Sequence, residues 1–256
     1  MKDWENPQVF EINQSPPHTP LIPYTSVEQA IANQRSSCNY YLDLNGKWKF
    51  NLVNTPEEVP EDFFAPKYNK KKWATIPVPS NWQMHGYDYP KFRNISQSFP
   101  GQPPYPPQEY NPTGLYVREF TLPASWNARQ VFLHFEGVKS ASYVWVNGEK
   151  VGYNQGGMEP AEYDITRHLR KGKNHLAVQV MRYSDGTYLE NQDMWRLAGI
   201  YRPVYLFAAP LIHMRDYYIV TELDENYEDA VLKTEVEIAR YQQVQVNGEQ
   251  VRLSLL

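Results

Sequence analysis

Cysteine is almost missing from this 256-residue chain: Cys38 stands alone and cannot form an internal disulfide, which excludes a small disulfide-stapled scaffold. No apolar stretch approaches the roughly 20 residues that would span a bilayer. The opening MKDWENPQVF has neither a cationic n-region nor an apolar h-region. These absences lead us to expect a soluble, cytoplasmic protein. The sequence shows no basic run and no acidic tail, and 25 Lys+Arg against 29 Asp+Glu leave a net charge of −4. That balance argues against a nucleic-acid or membrane-surface partner.

Ordinary enzyme signatures are missing too. There is no G-x-S-x-G elbow, no P-loop, no G-x-G-x-x-G after a strand, and no Cys/His cluster at zinc spacing. The six histidines (18, 85, 134, 168, 175, 213) are scattered, and we read them as structural or solvated. Glu109, Glu119, Glu136, Glu159, Glu162 and Glu190 could supply a carboxylate pair, but their spacing singles out no two. On these grounds alone the chain reads as a binding module.

Aromatic residues and proline are plentiful: 20 Tyr, 10 Phe, 7 Trp and 21 Pro, a composition suited to short strands joined by rigid loops. Residues 1–40, with five scattered prolines, read as an extended arm whose one helical stretch is 26–35, capped by Ser26. Strands are expected at 46–53, 73–78, 115–122, 131–136, 176–183 and 201–208. On 131–136, Val131, Leu133 and Phe135 share one face, with His134 and Glu136 on the other. Asn147-Gly148 marks a hairpin with a type I′ turn, because both residues accept positive φ. Residues 79–114 form the longest irregular segment, dense in proline and aromatic rings, and are expected to be an ordered loop. Many strands with long crossing loops and no βαβ alternation predict an all-β jelly-roll sandwich over 41–209. Past a boundary near Pro210, strands at 214–223 and 230–240 and an Asn-Gly hairpin in 244–256 begin a second β-domain. Fewer than half of the roughly 100 residues of an immunoglobulin-like sandwich are present, so 210–256 is expected to be a partial one.

Residues 183–203, YSDGTYLENQDMWRLAGIYRP, concentrate chemistry. Asp185 and Asp193 offer acceptor oxygens, Trp195 a flat ring and Arg196 a guanidinium, which suits sugar hydroxyls, sugar faces and hard cations. The plainer alternative makes Asp185-Gly186 a tight turn and Trp195 a core anchor.

Three stretches carry a resemblance: SNWQMHGYD (80–88), NPTGLY (111–116) and SDGTYLENQDMWRLAGIYR (184–202), with DWENP (3–7) and PPH (16–18) near the start. They resemble the amino-terminal, galactose-binding-like domain of β-galactosidases of glycoside hydrolase family 2, the large bacterial lactose-hydrolysing type. The resemblance implies a jelly roll followed by an immunoglobulin-like domain and a catalytic (β/α)8 barrel of about 250 residues that this chain lacks. Both catalytic glutamates of the retaining reaction belong to that barrel, so the chain is expected to be inactive alone. The resemblance further implies that Asp193 contacts a galactose hydroxyl and a bound sodium, and that Gln102 stands where the family has an asparagine. It implies magnesium ligands at Asp3, Asn6, the Val9 carbonyl, Gln155 and Asp185. Implied partners are a β-galactoside, the remaining domains of the same enzyme, and like subunits in a homotetramer. A free-standing carbohydrate-binding module and a truncated reading frame without function are the alternatives.

Overall fold

The computed structural model describes all residues except 95–97, 191, 242–247, 249 and 255–256. Most of the expected hairpin at 244–256 therefore lies outside the described residues.

Two antiparallel sheets face each other. The larger has seven strands, in the order Glu11–Ile12, Glu149–Asn154, Ala141–Val146, Lys173–Met181, Thr113–Thr121, Gly46–Val53 and Ala74–Val78. The smaller has four, in the order Ala161–Asp164, Gln130–Phe135, Val204–Ala209 and Tyr41–Asp43. The chain repeatedly crosses from one sheet to the other, the connection style of a jelly roll. Period-two alternation turns Trp48, Phe50, Tyr116, Leu176, Val178 and Val180 inward from the large sheet. Leu133, Phe135, Val204 and Leu206 meet them from the small one. Each such apolar side chain contributes about 1.5–3 kcal/mol on burial. The Trp48 indole also satisfies its one donor, Nε1 giving its hydrogen to the Leu44 carbonyl at 2.8 Å. At the hairpin, Asn147 and Gly148 have φ of 55° and 93°, as the dipeptide predicts.

Both sheets are covered on their outer faces as well. Residues Phe63, Phe64 and Trp73, together with Trp4 and Val9 of the arm, pack on the large sheet around Tyr143, Trp145 and Tyr153. On the small sheet Ile22 of the arm packs against Phe132, Tyr205 and Phe207. His134 is accordingly buried rather than solvated, although it lies on the face opposite Leu133.

The arm holds the helix Val27–Ala32, with the Ser26 side chain accepting from the Gln29 amide. Past Pro210, the strands Ile212–Leu223 and Ala230–Arg240 form a two-stranded ribbon. It is tied back to the arm by Thr19 N donating to Asp216 Oδ1 at 2.9 Å. No helix among the described residues is long and apolar enough to cross a membrane.

Candidate sugar-binding surface and cation site

The long loop after Val78 and the segment 182–202 are zipped together along their length. Backbone bonds run from Ser80 N to the Ile200 carbonyl (2.8 Å), Trp82 N to Ala198 (3.2 Å), Arg196 N to Lys91 (2.7 Å) and Asp193 N to Asn94 (2.6 Å). Side chains extend the seam. The Gln83 carbonyl oxygen accepts from Ala198 N at 3.1 Å, and Asn111 pairs with both backbone groups of Tyr183 at 2.9 Å each. Two glycines permit the close approach. A Cβ on Gly114 would lie 2.9 Å from the Trp82 ring, and one on Gly199, at φ +131°, would lie 2.7 Å from the Ser80 carbonyl oxygen.

Beneath the seam lies a buried ion pair. Arg182 and Asp88, with side-chain exposures of 1% and 0%, bond directly. Arg182 also donates to the Arg196 carbonyl at 2.8 Å, while Asp88 accepts from Tyr110 Oη at 2.8 Å and Gln83 Nε2 at 3.2 Å. Tyr110 and Gln83 thus serve the Asp88 oxygens, as a buried pair requires, while Arg182 Nε is buried without a partner.

On top of this frame Asp193 is exposed, at φ 48° in a turn. Trp195 is not the core anchor of the plainer alternative, being 55% exposed. The short ribbon pairing Met194–Trp195 with Phe92–Arg93 turns Trp195 outward against Phe92, with ring centroids 5.6 Å apart, and it is Arg196 that goes inside. Gln102 is also exposed. It is anchored through its backbone, with N donating to Tyr188 Oη at 3.0 Å and its carbonyl accepting from Tyr105 N at 2.9 Å. Its side-chain amide bonds to no described residue. The Tyr188 hydroxyl donates in turn to the Tyr105 carbonyl at 2.8 Å, and the Tyr188 ring meets Phe99 edge-on at 5.7 Å. Asp193 and Gln102 thus both decorate the contact between the same two segments. What this surface presents is acceptor oxygen and amide beside exposed rings, the mixture that binds polyhydroxyl faces.

The stretches carrying the other candidate ligands are drawn together by the arm. Asp185 N donates to the Trp4 carbonyl at 2.9 Å and Gln155 N to the Phe10 carbonyl at 3.0 Å. Val9 N bonds the Asn6 carbonyl at 2.9 Å. Asp3 accepts from Tyr143 Oη at 2.7 Å, with Lys150 Nζ 3.7 Å away, and Gln155 Oε1 accepts from Tyr153 Oη at 2.6 Å. Asp185 is 8% exposed and its Oδ1 is buried without a partner. Burial pushes its carboxyl up, against the side-chain hydrogen bond from Gln155 and backbone bonds that oppose the shift. A buried carboxylate oxygen with no donor beside hard amide and carbonyl oxygens fits an oxygen-seeking divalent cation. Among the described residues no three His, Cys, Asp or Glu side chains gather as a metal site, and this set, with only two carboxylates, does not require them to.

Two polar clusters were invisible in the one-dimensional pattern. Lys139 is buried with its Nζ 3.1 Å from Met194 Sδ, and burial brings it down to about 8. Glu162 is buried between His134 Nδ1 and His18 Nε2, each at 3.0 Å. Burial alone would push Glu162 up, but the two imidazole bonds prevail and hold it at about 2. That cluster clamps the arm onto the small sheet. Its partners are 28 and 144 residues away from Glu162, so no local spacing could reveal it.

The family model described as "Glycosyl hydrolases family 2, sugar binding domain" matches residues 41–210. A β-galactosidase of Priestia megaterium is 44% identical over 244 residues, covering 93% of this chain and 24% of the relative. One of Vibrio cholerae is 43% identical over 251 residues, covering 96% of this chain and 24% of the relative. The chain thus spans about a quarter of the length of these relatives. Among solved structures, a Bacteroides uniformis β-glucuronidase superposes with a TM-score of 0.61 at 26% identity, over 77% of this chain and 22% of that one. A Bacteroides vulgatus β-glycosidase does so with 0.60 at 25% identity, over 80% and 25%. No (β/α)8 barrel is present among the described residues. The chain therefore belongs to glycosyl hydrolase family 2 and carries that family's sugar-binding domain.

Proposed function

We propose that this chain serves a β-galactosidase acting on terminal β-D-galactosides such as lactose, as the part that completes the sugar pocket and supports assembly. The observation that carries the reading is the 43–44% identity to β-galactosidases over almost the whole chain. The solved Bacteroides uniformis β-glucuronidase resembles the chain less, at 26% identity, and supports the scaffold more than the substrate.

On this reading Asp193 accepts from a galactose hydroxyl and shares a sodium ion whose other ligands lie outside this chain. Its exposure leaves it accessible for that role. Gln102 offers its side-chain amide to the same sugar from the facing segment. Asp3, Asn6, the Val9 carbonyl, Gln155 and Asp185 hold magnesium, which when bound neutralises the buried Asp185 and ties the arm to the sandwich. The acid/base and nucleophile carboxylates are supplied by another domain of the same polypeptide, and assembly is as a homotetramer in the cytoplasm.

A chimera tests the reading. This chain replaces the matching region of the Priestia megaterium β-galactosidase, and hydrolysis of a chromogenic β-galactoside is measured. Turnover supports the proposal, whereas a folded, assembled chimera without turnover refutes it.

A further inference from the structure

The large sheet carries a second built feature on its outer face, away from the seam. Register places Val117 between Lys49 and Ala177, and His175 opposite Glu119, so these side chains share one face. The segment 66–71 folds over that face and leaves a groove of about 660 Å³. Lys47, Lys49 and Lys71 line it with His175, while Arg118, paired with Leu176 on the other face, reaches its edge by donating to the Lys47 carbonyl at 2.7 Å. A fifth cation, Lys70, is fastened there by donating to the Ala65 carbonyl at 2.7 Å. The only acidic lining residue, Glu119, is bridged to Lys173 at 3.1 Å. Lys47, Lys49 and Lys71 make no ion pair with a described residue. Strand pairing and a covering loop have therefore gathered a strongly positive concavity on a chain of net charge −4. Its cations come from separate stretches, Lys47 and Lys49 on a strand and Lys70 and Lys71 in the covering segment, so only the fold brings them together.

His175 adds an independent observation. It is 4% exposed, and neither ring nitrogen has a partner among the described residues. Buried polar groups are normally hydrogen-bonded, and leaving one unmet is costly. Burial, reinforced by the charge of Lys70, lowers the imidazole to about 4, so at neutral pH it is uncharged and keeps one N–H donor.

We propose that this groove is a binding site for a small phosphate-class oxyanion, a phosphate monoester or pyrophosphate-sized group. Lys47, Lys49 and Lys71 supply charge-assisted bonds from the walls, and the His175 N–H turns to the ligand from the floor. The concavity favours a free anion over lipid headgroups, because a flat bilayer surface reaches the rim and not the floor.

The test titrates the 256-residue chain with inorganic phosphate and with pyrophosphate at constant ionic strength, by calorimetry and by NMR of the histidine rings. Expected are saturable one-site binding, tighter for pyrophosphate, and a shift of the His175 ring resonances on saturation. The pair Lys49→Gln and Lys71→Gln, both at exposed positions, should weaken binding at least tenfold while the melting temperature stays put. Absence of saturable binding to either anion, equal affinity in the double variant, or an unmoved His175 overturns the proposal. So does binding confined to phosphatidylglycerol vesicles over phosphatidylcholine ones.

Discussion

Replacing Asp88 with asparagine removes the charge opposite Arg182 while keeping the shape of the side chain. Both partners of this pair are fully enclosed, with exposures of 1% and 0%. Loss of one leaves an uncompensated guanidinium in the interior, a change that typically costs about 3–5 kcal/mol. Tyr110 and Gln83 donate to the same carboxylate, so weakening of these bonds adds to the loss. Against a typical total stability of about 5–15 kcal/mol this is a large share, and at about 2–4 °C per kcal/mol it lowers the melting temperature by roughly 10 °C. Urea melts of Asp88→Asn, Arg182→Met and the double variant give the decisive cycle. The double variant should lose less than the sum of the singles by at least about 1 kcal/mol, because it buries no orphaned charge. Additive losses, or an Asp88→Asn cost under about 1 kcal/mol, would show that the pair does not hold the seam.

The chain alone should not hydrolyse a chromogenic β-galactoside; steady turnover by a purified sample, abolished by changing a glutamate within residues 1–256, would contradict that. Magnesium at about 100 times its Kd should stabilise the chain by roughly 2.7 kcal/mol, and a melting temperature that does not respond, or responds equally in Asp185→Ala, would remove the proposed site. The arm clamp has a defined pH signature. Glu162, held at about 2 against an ordinary 4.5, contributes stability that is present above about pH 4.5 and lost as pH falls toward 2, on the order of 3 kcal/mol. His18 is raised, chiefly by its bond to Glu162, with help from the carboxylate charge and the Thr19 carbonyl and against burial and Arg215. Its contribution is complete below the ordinary 6.5 and is lost as pH rises through the folded value. Melts of Glu162→Gln from pH 3 to 8 that run parallel to those of the unaltered chain would show the clamp to be idle.

The sandwich was legible because its signals are local. The strand at 46–53 appears with those bounds, and the Asn147-Gly148 turn and the Ser26 cap formed as their residue types dictate. Legibility failed where neighbours are distant. The plainer alternative for Trp195, a core anchor, failed because pairing with Phe92, about a hundred positions earlier, decides which way it faces. His134 read as facing outward from strand alternation, and the arm then closed over it. The loop 79–114 was expected to be ordered, yet its partner segment 182–202 was not apparent. The seam depends on contacts such as Trp82 against Gly114 and Asp88 with Arg182, which have no short-range signature. The resemblance had named the same segments as words without showing that they touch.

The most direct test of the proposed role is Asp193→Asn in the chimera with the Priestia megaterium enzyme. The substitution keeps the turn's shape and removes the charge, and charge-assisted bonds contribute about 1.5–3 kcal/mol, so kcat/KM for a β-galactoside should fall roughly ten- to hundredfold. Because Asp193 is exposed, a denaturant melt of the isolated chain should change by less than about 0.5 kcal/mol. An unchanged kcat/KM, or a fall matched by a stability loss above about 2 kcal/mol, would contradict the account and make Asp193 a structural residue of the turn.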